Sequence, residues 1–489
     1  MSVRANLIVA GPEQAKGRGQ SHDDGILGTR RPELYEEDNE RSIVNLDARL
    51  RVLVADTNRA AAHSSRMVMG FSELGCEVAA ICTRNGHPIR NLNCIGTIYS
   101  YNGFRPLESL RSAINDFLPD LIVPACDSSV GHLHRVYAGA VRSGDRELAR
   151  RIEHSLGSPA SFSTGRSRYE LISIAREEGI LVPETFEVTC KADLDRFDQS
   201  GRRWALKQDG STGGEGVWCV TNRAEAEVGI AYAWRKKLLR WVLKRLDLVG
   251  DLGLIVDEFR QPLPRLLLQE WIDGRPANCA MACWEGEILA GNCVEVLESE
   301  GERGHATLVE LVEGASMFDA ARRIARRLRL SGFFGLDFII EHATGRHYLL
   351  EMNPRCSALS ALRLRDGHDL PAALRARILG VSAAPPTPVT ENRRIAYFPR
   401  PACDGIDQRS YHDFYYDVPQ GQPELTKRLQ ETWPKFSLLR AAKDFIHLTL
   451  GTGNRRTIHV WVPPHEQPEI LDDFDSSGNE KEEPVWGER

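Results

Sequence analysis

Between Gly335 and Arg355 the chain reads as two short apolar strands joined by a polar turn, a pattern that points to an antiparallel hairpin. The strands are Phe338–Ile340 and Tyr348–Leu350, and the connection from Glu341 to Arg346 is polar with a single glycine. Asp337 stands at the mouth of the first strand, and the second runs out through Glu351, Asn353 and Arg355. Residues two apart on an extended chain share a face. Glu351, Asn353 and Arg355 are therefore expected to point one way, and antiparallel pairing brings Asp337 beside Glu351 and Asn353. Hard oxygen donors and a guanidinium converging on one spot suit a Mg²⁺-bound polyphosphate, which needs oxygens for the cation and a fork for the phosphate. A carboxylate pair balanced by an arginine also serves as a plain structural salt bridge, and the hairpin alone does not choose between the two.

Upstream, strands alternate with helical stretches, the signature of a parallel α/β unit. Arg51–Asp56 and Glu77–Cys82 read as its first two strands and Asp120–Pro124 as its third, after a helix over Leu107–Phe117. No Gly-x-Gly-x-x-Gly turn follows the first strand, which argues against a dinucleotide site there. Asp127 lies just past the third strand, where open α/β sheets bind ligands. It reads either as a substrate contact or as a helix cap.

From about residue 160 the texture changes. Arg168–Gly179 is helical, Thr185–Thr189 is a strand, and Trp204–Lys207 is a strand ending in lysine. Glycines at 210, 213, 214 and 216 follow before the strand Val217–Val220. Such a loop lets backbone amides turn towards an anion, with Lys207 supplying a point charge. It is equally what a flexible hairpin looks like, and it lacks the Gly-Lys-Ser/Thr close of a Walker loop. Residues 232–249 and Ala320–Arg329 read as basic helices with one solvated face, the first also suiting a membrane surface or a partner. Leu266–Gly274 is an apolar strand running into a connector, Gln269–Ile272, that offers backbone groups to a purine edge. Asn278–Trp284 and Glu287–Cys293 form a hairpin over Glu285 and Gly286. Further on, an aromatic-rich segment Asp413–Asp417, a helical pattern over Leu425–Trp433 and a strand-like Thr457–Val462 carry no recognisable chemistry.

A net charge of −6 gives no nucleic-acid footprint. The eleven cysteines show no paired short spacing that would complete a zinc site. No apolar run approaches a membrane span. The N-terminal stretch does not look like a secretory signal, so reduced thiols in the cytoplasm are expected.

Taken in order, Arg168, Lys207 with its glycine loop, Gln269–Ile272, Asp337, Glu351, Asn353 and Arg355 resemble the ATP-grasp family over roughly residues 160–380. The match is nearest to the carbamoyl-phosphate-synthetase-like branch, through Glu351–Arg355 and the small-residue turn Ser357–Leu362. The resemblance implies a mixed α/β and α+β multidomain chain. A flexible leader (1–47) would precede a Rossmann-like pre-ATP-grasp domain (48–155). A two-lobed ATP-grasp domain (156–385) would follow, with its glycine-loop lid at about 185–268. A C-terminal extension (386–467), read on size alone as a substrate cap or dimer surface, and an acidic disordered tail (468–489) would complete it.

The resemblance also implies roles. Arg168 and Lys207 would meet the ATP phosphates under a lid carrying Gly213, Gly214 and Gly216. Gln269, Glu270, Trp271 and Ile272 would meet the adenine. Asp337, Glu351 and Asn353 would hold two Mg²⁺ ions, with Mn²⁺ as a substitute. Arg355, Lys207 and Asn353 would carry catalysis, Arg355 at the γ-phosphate and the acyl phosphate. The acidic residue that usually binds ribose is missing at Pro276 and Ala277, leaving Asp273 or Asn278 to substitute, and Gln208 stands where proline is common.

The activity implied is that of an ADP-forming ligase joining a small-molecule carboxylate to an amine, with no nucleic-acid or membrane partner and with homodimerisation open. A carboxylase or phosphotransferase on the same scaffold, or a non-catalytic ATP-binding regulator, are the alternatives. Arg303, His305 and Asp127 are the expected substrate contacts.

Overall fold

A computed structural model describes residues 49–58, 62–84, 86–196, 202–209, 217–235, 265–299, 305–364, 368–382, 388–399 and 414–431. All of them belong to one compact unit, Leu46–Arg489. The expected leader, the glycines of the 210–216 loop, the basic segment beyond 235, Arg303, the strand at 457–462 and the acidic tail lie outside the described residues.

The first sheet is parallel, in the order β3-β2-β1-β4. Its strands are β1 (Arg51–Asp56), β2 (Glu77–Thr83), β3 (Thr97–Tyr101) and β4 (Leu121–Pro124). Strands β1, β2 and β4 are buried along nearly their whole length, as expected where helices cover both faces. The helices are α1 (Ala62–Glu73), α2 (Pro106–Phe117), α3 (Asp127–Ser143) and α4 (Arg146–Leu156). The run ending at Pro124 is thus the fourth strand and not the third. The unforeseen strand, β3, sits at the sheet edge and is half exposed, so its polar positions carry no buried-strand signature. At the carboxyl end of β1 the fully buried Asp56 meets His87 at 3.2 Å. His87 Nδ1 accepts from the Ile89 amide, which leaves Nε2 to face the carboxylate. Burial works against the charged form of Asp56, but His87 holds its pKa below the usual range.

Helix α5 (Arg168–Glu177) leads to a small antiparallel sheet ordered β5-β8-β6-β7. It comprises β5 (Thr185–Val188), β6 (Trp204–Gln208), β7 (Val217–Val220) and β8 (Leu266–Glu270), with α6 (Arg223–Arg235) packed on it. Trp204, Leu206, Leu266 and Leu268 form its own core with Val220 and Ile230.

A seven-stranded sheet follows, ordered β13-β12-β9-β10-β11-β14-β15. Its first strands are β9 (Gly274–Trp284), β10 (Glu287–Ser299) and β11 (Ala306–Val312). After α7 (Ala315–Leu328) come β12 (Gly332–Glu341) and β13 (His347–Asn353). Helix α8 (Leu370–Leu379), β14 (Arg394–Ala396) and β15 (Tyr415–Tyr416) complete it. The period of two divides its side chains cleanly. Cys279, Met281, Phe334 and Leu336 face α5 and α7. Ala280, Ala282 and Phe333 face α1, α8 and the first sheet, Phe333 meeting Phe71 edge-on at 6.1 Å. The described C-terminal segment extends this sheet and ties it to the elements around the first sheet, through an Arg66–Asp417 ion pair of 3.0 Å and a bond from the Asn93 amide to Gln422. No described helix is long and apolar enough to cross a membrane.

Candidate active site

The hairpin read from the sequence is β12 and β13, but β12 begins at Gly332, six residues before the expected strand at Phe338. Asp337 therefore lies mid-strand and not at a strand mouth. Its direct partners across the sheet are Glu351 on β13 and Asn278 on β9. Opposed residues of antiparallel strands share a face, so Asn278, Asp337 and Glu351 form a row across three strands. Asn353 lies opposite Gly335 and donates from Nδ2 to Asp337 Oδ2 at 3.0 Å. Burial and the adjacent Glu351 carboxylate raise the pKa of Asp337. Glu351 is held low despite burial, because Arg168 and Lys207 face it.

Those two cations come from the other side of the cleft. Arg168 opens α5 and donates from Nε to Glu351 Oε2 at 2.6 Å, with Nη2 at 2.5 Å from the same oxygen. Its Nη1 donates to the Gln208 carbonyl at 2.9 Å, and its backbone amide to Asp209 Oδ1 at 2.7 Å. Ser167 Oγ donates to the other Asp209 oxygen at 2.8 Å. Asp209 thus docks the first turn of α5 onto the small sheet. No sequence signal marked it, since its partners lie some forty residues away. Lys207 Nζ donates to Gln269 Oε1 at 2.5 Å, and the buried Gln269 is fixed in turn by donating to Thr185 Oγ1 at 3.0 Å. Gln269 thus orients the lysine.

Arg355 arrives by a different route from the one expected. Strand β13 ends at Asn353, and the Arg355 amide donates back to the Asn353 carbonyl at 2.8 Å. A tight turn at Pro354, not strand alternation, aims the guanidinium. Its Nε donates to Asp127 Oδ1 at 3.0 Å, Nη2 to Asn353 Oδ1 at 3.2 Å and Nη1 to the Cys356 carbonyl at 3.4 Å. Asp127 is the first residue of α3, whose N-cap is Cys126, so the carboxylate binds Arg355 and does not cap the helix. The Cys356 amide donates to Pro124 at the end of β4, which fastens the turn to the first sheet.

Arg168, Lys207, Gln269, Asp337, Glu351, Asn353, Arg355 and Asp127 are accordingly brought together. Glu270, at the end of the small sheet, instead pairs with Arg202 at 3.0 Å. The backbone amides of Glu270 and Trp271 are bonded to Glu184 and Arg203. Those two amides of the connector are therefore bonded within the small sheet and its flanking loops. Ile272 follows in the link to β9. Asp273 is exposed beside His342, whereas Asn278 belongs to the carboxylate row. His305 is exposed at the start of β11. It lies beyond the β10 end that pairs with Ala306, about 17 Å along the strand from the residue opposite Asn278.

Among the described residues no group of three or more His, Cys, Asp or Glu side chains gathers as a complete metal cage. Two adjacent carboxylates with amide oxygens at Asn353 and Asn278 leave coordination to be completed by phosphate and water, which is how Mg²⁺ is bound. A divalent cation held by these residues would offset the repulsion of the Asp337–Glu351 pair. The residues fit Mg²⁺.

A small antiparallel sheet bearing a lysine, a large one bearing a carboxylate row, and an arginine helix between them make up the two lobes of an ATP-grasp fold. Residues 230–359 match the family model of an ATP-grasp domain, so the chain carries an ATP-grasp domain there. No curated protein sequence gives a significant match. Among solved structures the chain is similar to a biotin carboxylase from Campylobacter jejuni, at 13% identity and a TM-score of 0.50, over 68% of this chain and 72% of that one. It is also similar to N5-carboxyaminoimidazole synthetase from Staphylococcus aureus in complex with ADP, at 12% identity and a TM-score of 0.48, over 69% and 79%. A third is an L-amino acid ligase from Bacillus licheniformis, at 14% identity and a TM-score of 0.47, over 67% and 75%. At 13% identity the biotin carboxylase likeness speaks to the fold alone.

Proposed function

We propose that the protein is an ATP-dependent, ADP-forming ligase that activates a small carboxylate and joins it to an amine. The observation that carries this reading is the opposition of Arg168 and Lys207 to the Asp337–Glu351–Asn353 group, with Arg355 at its edge. The substrate carboxylate would attack the γ-phosphorus and ADP would leave. The amine nitrogen would then attack the acyl carbon, releasing phosphate, with its proton passing to solvent. Such chemistry needs positioning and charge neutralisation more than covalent help from the protein. Asp337, Glu351 and Asn353 would hold Mg²⁺, which supplies charge neutralisation to the phosphates when bound. Arg168 and Lys207 would bind phosphate oxygens, exchanging their protein partners for the nucleotide, and Arg355 would orient the reacting carboxylate. The described cysteines are free thiols, which supports assignment to the cytoplasm.

Lys207→Ala should raise the Kd for Mg·ATP about ten- to a hundredfold, the worth of one or two charge-assisted hydrogen bonds. Unaltered affinity in a titration with labelled nucleotide would remove Lys207 from the phosphate site.

The test of the reaction is ADP release with Mg·ATP against pooled carboxylic acids and amines, with hydroxylamine present. Acid-dependent ADP together with a hydroxamate mass identifies carboxylate activation and names the acid. ADP formation driven by bicarbonate without amine assigns the site to a carboxylase instead. Nucleotide binding without ADP under every condition sinks the catalytic reading.

A further inference from the structure

The two cations assigned to the nucleotide are carried by different cores. Arg168 opens α5, whose Leu171 and Ala175 pack with Met281 and Phe334 against the large sheet. Lys207 lies on β6, whose Trp204 and Leu206 belong to the core of the small sheet. Two cations grip one polyphosphate together only when their spacing is held beforehand, and packing within either core does not hold it.

Asp209 joins the two. Its amide donates to the Arg265 carbonyl at 2.8 Å, adding a rung beyond the last paired residues of β6 and β8. Residue 209 thus continues the extended chain, and its side chain shares a face with Lys207. The carboxylate accepts from the Arg168 amide at 2.7 Å on one oxygen and from Ser167 Oγ at 2.8 Å on the other. Ser167 is the N-cap of α5, so a negative charge stands where a helix start favours it. The Gln208 carbonyl accepts from Arg168 Nη1 at 2.9 Å, and the Arg265 guanidinium lies over the Tyr169 ring at 5.9 Å. Residues 167, 168 and 169 are therefore each engaged by the ends of β6 and β8. A carboxylate two residues from a phosphate-binding lysine also repels the phosphate. Charge alone therefore predicts tighter nucleotide binding without Asp209, and positioning predicts weaker binding.

We propose that Asp209 is a positioning residue for the nucleotide: by clamping the start of α5 to the end of β6, it sets the spacing of Arg168 and Lys207 so that both engage one polyphosphate. This inference rests on the ATP-dependent reading above and adds what keeps its two phosphate cations in register.

The experiment titrates the full chain, with Mg²⁺ present, against a labelled non-hydrolysable ATP analogue. It compares Asp209→Ala, Asp209→Asn and Asp209→Glu, and combines the first with Lys207→Ala. No binding by the wild type, or a Kd that Lys207→Ala leaves unmoved, overturns the nucleotide reading itself and this inference with it. Once those controls hold, Asp209→Ala should raise the Kd about tenfold. Asp209→Asn should stay within about threefold of the wild type, because its amide oxygen still accepts from Arg168 and its nitrogen can donate to Ser167. Asp209→Glu keeps the charge but is longer by one methylene, so it should lose affinity about as Asp209→Ala does. It also carries the test if the alanine variant does not fold. In the double variant, Lys207→Ala should cost less than about threefold, against ten- to a hundredfold alone, because the two residues act as a unit. Tighter binding by Asp209→Ala, wild-type affinity in Asp209→Glu, or fully additive losses in the double variant would each overturn the proposal while leaving the ATP site standing.

Discussion

Exchanging Glu351 for glutamine should lower Mg·ATP-dependent ADP release by about a thousandfold or more, with little change in thermal midpoint. The loss is large because Glu351 belongs to the carboxylate row and also faces Arg168. Glutamine keeps the shape but removes a negative charge from the proposed cation site and from the partner of Arg168. The stability argument has two opposing parts. Arg168 loses an ionic partner at 2.5 to 2.6 Å, which alone would be costly for a group so well buried. Asp337 simultaneously loses the like charge that, with burial, raises its pKa, and the glutamine oxygen still accepts from Arg168. The net change should stay within about 1–2 kcal/mol. ADP-release kinetics beside a melting curve decide the matter. Near-normal turnover would remove Glu351 from the chemistry. A variant that fails to fold would instead make the Asp337–Glu351–Arg168 group a structural salt bridge, the bland reading its sequence pattern always allowed.

How legible this site was depends on how far apart in the chain its parts lie. The β12–β13 hairpin could be read because its two strands are neighbours and period-two alternation places Asp337 against Glu351. The lysine at the end of β6 was visible for the same local reason. Contacts made over long separations left no mark. Asp209 docks α5 across forty residues, and the Asp127–Arg355 bond joins residues 228 apart. Neither depends on a composition or spacing that a window of sequence contains. Asp127 attracted notice only through its position after a strand, and its partner became evident once the two sheets were set together. Strand β3 went unread because an edge strand with half-exposed polar positions lacks the continuous apolar run of its inner neighbours. The turn at Pro354 was likewise missed. Extending the alternation of β13 by two residues aims Arg355 correctly for the wrong reason, since proline and the bond back to Asn353 set its direction.

Arg355→Lys should cost about a hundredfold in turnover, although it keeps the charge. The guanidinium is used as a fork. Nε holds Asp127 on α3, Nη2 holds the Asn353 oxygen and Nη1 reaches the Cys356 carbonyl. One group therefore connects α3, the carboxylate strand and the turn that follows it. An ammonium can satisfy one or two of these acceptors but not all three in their planar arrangement. Released from Arg355, Asn353 can turn away from Asp337 even though the hairpin itself is intact. The substitution should consequently lower kcat, while Mg·ATP affinity, which the proposed reading assigns to Arg168 and Lys207, changes little. Asp127→Asn provides the complementary measurement. It leaves the arginine in place but weakens its tether to α3, and it should lower kcat in the same direction by a smaller factor. Full activity in Arg355→Lys would show that charge alone suffices at this position. An equal loss of nucleotide affinity and kcat would place Arg355 among the nucleotide contacts, not at the reacting carboxylate.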